Sequence, residues 1–211
     1  ANGTNRIALL VQNVTGILNF RRNGFFDWKI SLWLSIPAVI GSLIGAYFAV
    51  AISDALFNKI LAVVMIVVLI FVIWQPHKKL NHQEKPATPG RMAAACILFF
   101  IVGLYGGFIQ AGVGFLIIVS LTTIFGMSLI KVNAIKLFVA AVYILASFVV
   151  FIYHGEVNWL LGFILAVGNA FGVWIGSHFA VSKGDKWIRI VLVIAVILMA
   201  AKLLGLFDLI F

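Results

Sequence analysis

Residues 106–115 read GGFIQAGVGF, with Gly106, Gly107, Gly112 and Gly114 arranged around one glutamine, Gln110, inside an otherwise apolar run. A glycine in a helix interior costs about 1 kcal/mol relative to alanine, so this density predicts an interruption of the helix. The surrounding chain is built for lipid. Of 211 residues, 64% are hydrophobic and 10% charged, and the mean hydropathy is +1.19. Apolar runs of spanning length recur from Ile30 to the C-terminus, which predicts an all-α polytopic membrane protein.

Unwound backbone in hydrocarbon leaves amides unsatisfied at several kcal/mol each, so it survives only where protein or a water-filled cavity covers it. The glycine-rich segment is therefore expected inside the bundle. Glycine lets successive N–H groups converge, and a following half-helix adds its positive end, so such a break favours an anion. Close packing of helices is the alternative use of the same glycines. The spaced pairs Gly41/Gly45 and Gly172/Gly176 are read as packing motifs of that kind.

A shift of 131 positions superposes the chain on itself without a gap. Asn2 falls on Asn133, Phe20 on Phe151, Gly24 on Gly155, Trp28 on Trp159, Gly41 on Gly172, Gly45 on Gly176 and Asp54 on Asp185. Coincident Gly, Trp, Asn and Asp are hard to obtain from composition, so the chain reads as an internal duplication. The second copy has a preceding stretch, roughly 92–129, without a counterpart in the first. About forty residues, including a first glycine-rich segment, are expected ahead of Ala1.

Apolar stretches, interfacial Trp28, Trp159 and Trp187, and turn residues predict a partial span ending near Phe20 and spans over 28–52, 57–75, 132–153, 159–182 and 187–206. Residues 93–128 form a broken segment. The division is a first repeat at 1–75, a linker at 76–91 and a second repeat at 92–211. If the basic linker is cytoplasmic, alternation puts Arg21, Arg22, Lys29, Lys183, Lys186 and Arg189 on that side as well, as the positive-inside rule requires. Matching loops then lie on opposite sides, which makes this an inverted-topology repeat. Arg91 and Lys131 must share a side, so 93–128 enters and returns as a re-entrant hairpin or two half-helices; a single crossing would make the repeats parallel.

The net charge of +9 lies mainly in short connections, which suits orientation and anionic headgroups and excludes a nucleic-acid surface. Cys96 is the only cysteine and is read as buried packing. Asp54 and Asp185 are expected as helix N-caps. Gln12, Asn13 and Asn169 suit interhelical hydrogen bonds, and His178 suits a satisfied structural role. No nucleotide motif, nucleophile constellation or metal-ligand spacing occurs, so neither an enzyme nor a cofactor or metal site is expected.

With GLYGGFIQAGVGF, ANGTNRIA, HGEVNW and GNAFGVWIGSHFA in this order, the chain resembles the TauE/SafE family of bacterial and archaeal permeases. VNAIKLFV stands where that family's second Gly-Thr pair would be. The resemblance implies a multi-pass permease of a prokaryotic plasma membrane, associated with sulfite or organosulfonates.

Lys136 lies at least one turn inside its span, where a charge costs about 2.5–3.5 kcal/mol on insertion scales. It should face a substrate or cavity, or snorkel to the interface. The expected substrate site combines Gln110, Gly112, Val113, Gly114, Asn133 and Lys136 with Asn2, Thr4 and Asn5 across the axis. The function expected is a secondary transporter of a small anion working by alternating access. An anion channel and a non-transporting structural subunit remain as alternatives. Expected partners are the anion, membrane lipid, a coupling proton or other ion, and a second copy of the chain.

Overall fold

A computed structural model describes residues 2–22, 27–74, 84–183 and 194; the span expected at 187–206, Asp185 and the side chain of His178 lie outside the described set. Among the described residues the chain is all helical: α1 (Asn2–Arg22), α2 (Trp28–Ala51), α3 (Asp54–Trp74), α4 (Pro89–Phe108), α5 (Val113–Phe125), α6 (Leu129–Tyr153) and α7 (Trp159–Lys183). Helices α2, α4 and α6 are long and apolar enough to cross a membrane. Starts follow local chemistry. Asp27 Oδ1 accepts from the Ile30 amide at the head of α2. At α3 the capping oxygen belongs to Ser53, which accepts from Leu56 N at 3.4 Å, so Asp54, expected as the cap, sits one residue inside.

The bundle inverts the pattern of a water-soluble helix. α2 turns Ser31, Ser35, Ala38, Gly41, Ser42 and Gly45 inward and exposes Leu32, Trp33, Ile36, Ile40 and Phe48. Lipid is as apolar as leucine, so small residues that let backbones touch form the inner face. α2 runs parallel to α4 on this seam. A Cβ at Gly103 would strike the backbone of Ala38, one at Gly107 that of Ser42, and ones at Gly41 and Gly45 the carbonyls of Phe100 and Leu104. Gly106 meets the ring of Tyr143 in the same way. Gly106 and Gly107 therefore stay helical and serve packing, contrary to the expectation that all four glycines interrupt the helix.

Hydrogen bonds and contacts define the direction of the other helices. Gly3 faces Phe151 and Gly16 faces Leu137, so α1 is antiparallel to α6. Ile7 meets Gly162, and Asn169 Nδ2 donates to Gln12 Oε1 at 3.2 Å, so α1 is parallel to α7. That bond gives Gln12 and Asn169 the interhelical role expected of them; Asn13 instead donates back to Leu9 O within α1. Gly172, by contrast, has nothing within 4 Å of an added Cβ among the described residues.

α5 has 13 residues, about 20 Å of helix, and returns to the end where α4 began. There Lys85 N donates to Phe125 O at 2.8 Å, and Lys131 Nζ pairs with Glu84 at 2.6 Å. Asp27 shares this end, while Ile52, Asp54 and Glu156 share the other.

Candidate functional site

Between α4 and α5 the helix opens for four residues. Gly112 has φ 75°, within the range a glycine adopts freely, and Gln110 has φ 74°, which a side chain resists. Gln110 is the one non-glycine at positive φ among the described residues. Strain of this kind costs about 1–3 kcal/mol and persists where the surroundings impose it.

The surroundings are side chains that satisfy the carbonyls set free. Asn2 Nδ2 donates to Phe108 O at 2.8 Å, Arg6 Nη2 to Gly107 O at 2.5 Å and to Gly106 O at 3.4 Å, and Tyr105 Oη to Ala111 O at 2.5 Å. Asn2 and Arg6 are one helical turn apart on α1, so one face of that helix caps the end of α4. Arg6 Nη1 also donates to Ser147 Oγ at 2.5 Å, and the guanidinium stacks over Phe151, 4.6 Å from the ring centroid.

Arg6 is fully buried, 0% exposed, and no carboxylate among the described residues pairs with it. Three buried polar atoms here lack a hydrogen-bond partner: Arg6 Nε, Gln110 Oε1 and Tyr143 Oη. Tyr143 lies close to both Gln110 and Arg6 without meeting the geometry of a hydrogen bond to either.

A cavity of about 720 Å³ opens beside the break, at the end of the bundle holding Asp54 and Glu156. Asn2, Asn5, Asn58 and Gln110 supply polar groups to its wall, and Leu9, Phe57, Leu61 and Phe151 apolar surface. Of the residues expected to bind substrate, Asn2, Asn5 and Gln110 thus meet around one space. Thr4 turns away: its hydroxyl is buried and accepts from Asn158 N at 3.0 Å. Gly112 caps α5, and the Val113 side chain is core. Lys136 and Asn133 form a second group, Nζ donating to Asn133 Oδ1 at 2.7 Å. This group sits against the start of α5, where the Lys136 chain lies 3.6 Å from a Cβ added at Gly114. Neither residue lines the cavity.

The site expected from sequence leaves out Arg6, Tyr105, Tyr143 and Ser147. The signal for Arg6 was available: an arginine directly preceding the apolar run IALLV is expensive in a membrane span and marks function by default. The tyrosines and the serine carry no such signal, since either type is common in apolar helices.

Lipid-facing helices packed through small residues, with a helix break beside a cavity of mixed polar and apolar lining, fit a polytopic α-helical membrane protein. The chain belongs to the sulfite exporter TauE/SafE family, whose model matches residues 1–203. It is 27% identical over 203 residues to a protein named "probable membrane transporter protein ORF9" of Sinorhizobium sp, covering 96% of this chain and 77% of that one. A "probable membrane transporter protein" of Haemophilus influenzae is 26% identical over 203 residues, 96% of this chain and 79% of the relative. "Probable membrane transporter protein YfcA" of Escherichia coli strain K12 is 27% identical over 207 residues, 97% of this chain and 75% of the relative. No solved structure matches the chain.

Proposed function

We propose that the protein is a secondary transporter that carries a small anion, sulfite or an organosulfonate, by alternating access between two inverted repeats. The observation that carries this reading is that the interruption between α4 and α5 opens through Gln110 onto a cavity that Asn2, Asn5 and Asn58 also line. Discontinuous helices with unwound backbone between them are how membrane transporters form substrate sites. The positive N-terminal end of α5 and the negative C-terminal end of α4 meet at the break, so the helix ends together favour neither sign of ligand. The name of the family supports sulfite as the first anion to test.

The inverted-repeat reading draws support from direction. The 131-residue shift carries α1 onto residues 133–153 of α6, and these two helices are antiparallel. It also carries Asn2 onto Asn133 and Asn5 onto Lys136, so each half offers a polar pair next to the same turn. In this reading α4–α5 is a re-entrant hairpin of the second repeat (92–211), and the end bearing Glu84, Lys85, Arg91 and Lys131 is cytoplasmic in a prokaryotic plasma membrane.

Reconstitution into liposomes tests the proposal. Saturable uptake of radiolabelled sulfite or methanesulfonate, with accelerated exchange when unlabelled anion is loaded inside, is the expected result. Single-channel currents would replace the carrier by a pore, and absence of flux for both anions would overturn the substrate class.

A further inference from the structure

We infer that Arg6 makes the cavity select an anion, acting as a fixed positive charge from just behind its wall; this rests on the transport reading above. The Phe151 ring is shared. One face carries the guanidinium at 4.6 Å, and the same side chain lines the cavity. An anion at the positive edge of the Phe151 ring, on its cavity side, would stand roughly 8 Å from the charge.

Arg6 has a structural task as well, capping the carbonyls of Gly106 and Gly107, and the end of α4 contributes about half a negative charge. The start of α5 at the same break contributes about half a positive one, so the helix ends cancel and the full charge of Arg6 stands uncompensated. A neutral donor such as glutamine could cap two carbonyls. The buried Nε without a partner, and the absence of any carboxylate ligand among the described residues, are what capping alone leaves unexplained.

Asp54 and Glu156 face the same cavity with the opposite sign. Both are exposed, so water and salt screen them, while Arg6 is fully enclosed and acts through protein. At an effective dielectric of about 20 and the separation above, a unit charge changes anion affinity by roughly 30-fold.

The test measures binding of sodium methanesulfonate and of its neutral analogue dimethyl sulfone to the purified full chain, by isothermal titration in nanodiscs, with thermal melting to confirm folding. Wild-type protein is expected to prefer methanesulfonate by roughly 30-fold. Arg6→Lys should keep most of that preference, while Arg6→Gln, which keeps hydrogen-bond donors, should lose it. Ser147→Asp places a carboxylate on Arg6 with the carbonyl contacts intact and should also lose it. A folded Arg6→Gln or Ser147→Asp protein with wild-type preference overturns the assignment. If neither variant folds, the wild-type comparison decides, and equal affinity for the two probes overturns it. Anion-selective transport that persists without this preference at Arg6 sinks the inference alone, whereas wild-type protein that neither binds nor moves an anion removes the transport reading first.

Discussion

The guanidinium of Arg6 donates to the carbonyl oxygen of Gly107 at 2.5 Å, joining the first turns of the chain to a helix end 101 residues away. This bond explains how α4 can stop inside the bundle. A helix end leaves carbonyls unpaired, and in hydrocarbon no water is at hand to take them. Arg6, Asn2 and Tyr105 replace that water, so the break at 109–112 depends on α1 being in place.

Tyr105→Phe removes only the hydroxyl that holds Ala111 O. An unpaired buried carbonyl costs about 1–3 kcal/mol, so the melting temperature in detergent should fall. Transport should fall with it, since Ala111 and Gln110 are adjacent on the cavity wall. Unchanged melting would mean that the break is held by other contacts.

Glycines of the two kinds should respond in opposite ways to alanine. Gly107→Ala drives a methyl into the Ser42 backbone, which cannot rotate away, and the cost should reach the upper end of about 1–3 kcal/mol. Gly90→Ala, with nothing within 4 Å, should be neutral or stabilise by up to about 1 kcal/mol. Thermal melting of both proteins reads the contrast directly.

Neighbouring polar residues of α1 should separate by role. Thr4→Val strands the Asn158 amide, so stability should drop by about 1–3 kcal/mol with the KM for anion uptake unchanged. Asn5→Leu alters an exposed cavity residue, so the KM should rise with stability preserved. The reverse pattern would take Asn5 out of the site.

The two ends of the bundle should be chemically distinct in a Cys96→Ala background. Cysteines at Lys85 and Lys131 should react with an impermeant maleimide from one side of the membrane, and cysteines at Ser53 and Glu156 from the other. Labelling of positions 85 and 131 from opposite sides would contradict the return of α5 to the end where α4 begins.

Glu84→Gln cuts the Lys131 ion pair at that end. Both side chains are about half exposed, so the loss should be no more than about 1 kcal/mol and should vanish in high salt. A larger effect would mean that the pair anchors the return of α5.

Lipid-spanning helices, their approximate limits, the polar identity of Asn2, Asn5, Gln110 and Lys136 and the family resemblance were all legible in the sequence, because hydropathy and helix breaking are properties of neighbouring residues. What GGFIQAGVGF does was only half legible. Gly112 supports the turn, yet Gly106 and Gly107 lie against Tyr143 and Ser42, and no local pattern separates a glycine that bends the chain from one that admits a neighbour. Tertiary structure alone decided which residues share the cavity, that the Lys136–Asn133 pair lies outside it, and that Arg6 reaches the end of α4. Those relations join residues as distant as Asn2 and Glu156, and they follow from the crossing of helices in space, which the period of a single helix does not encode.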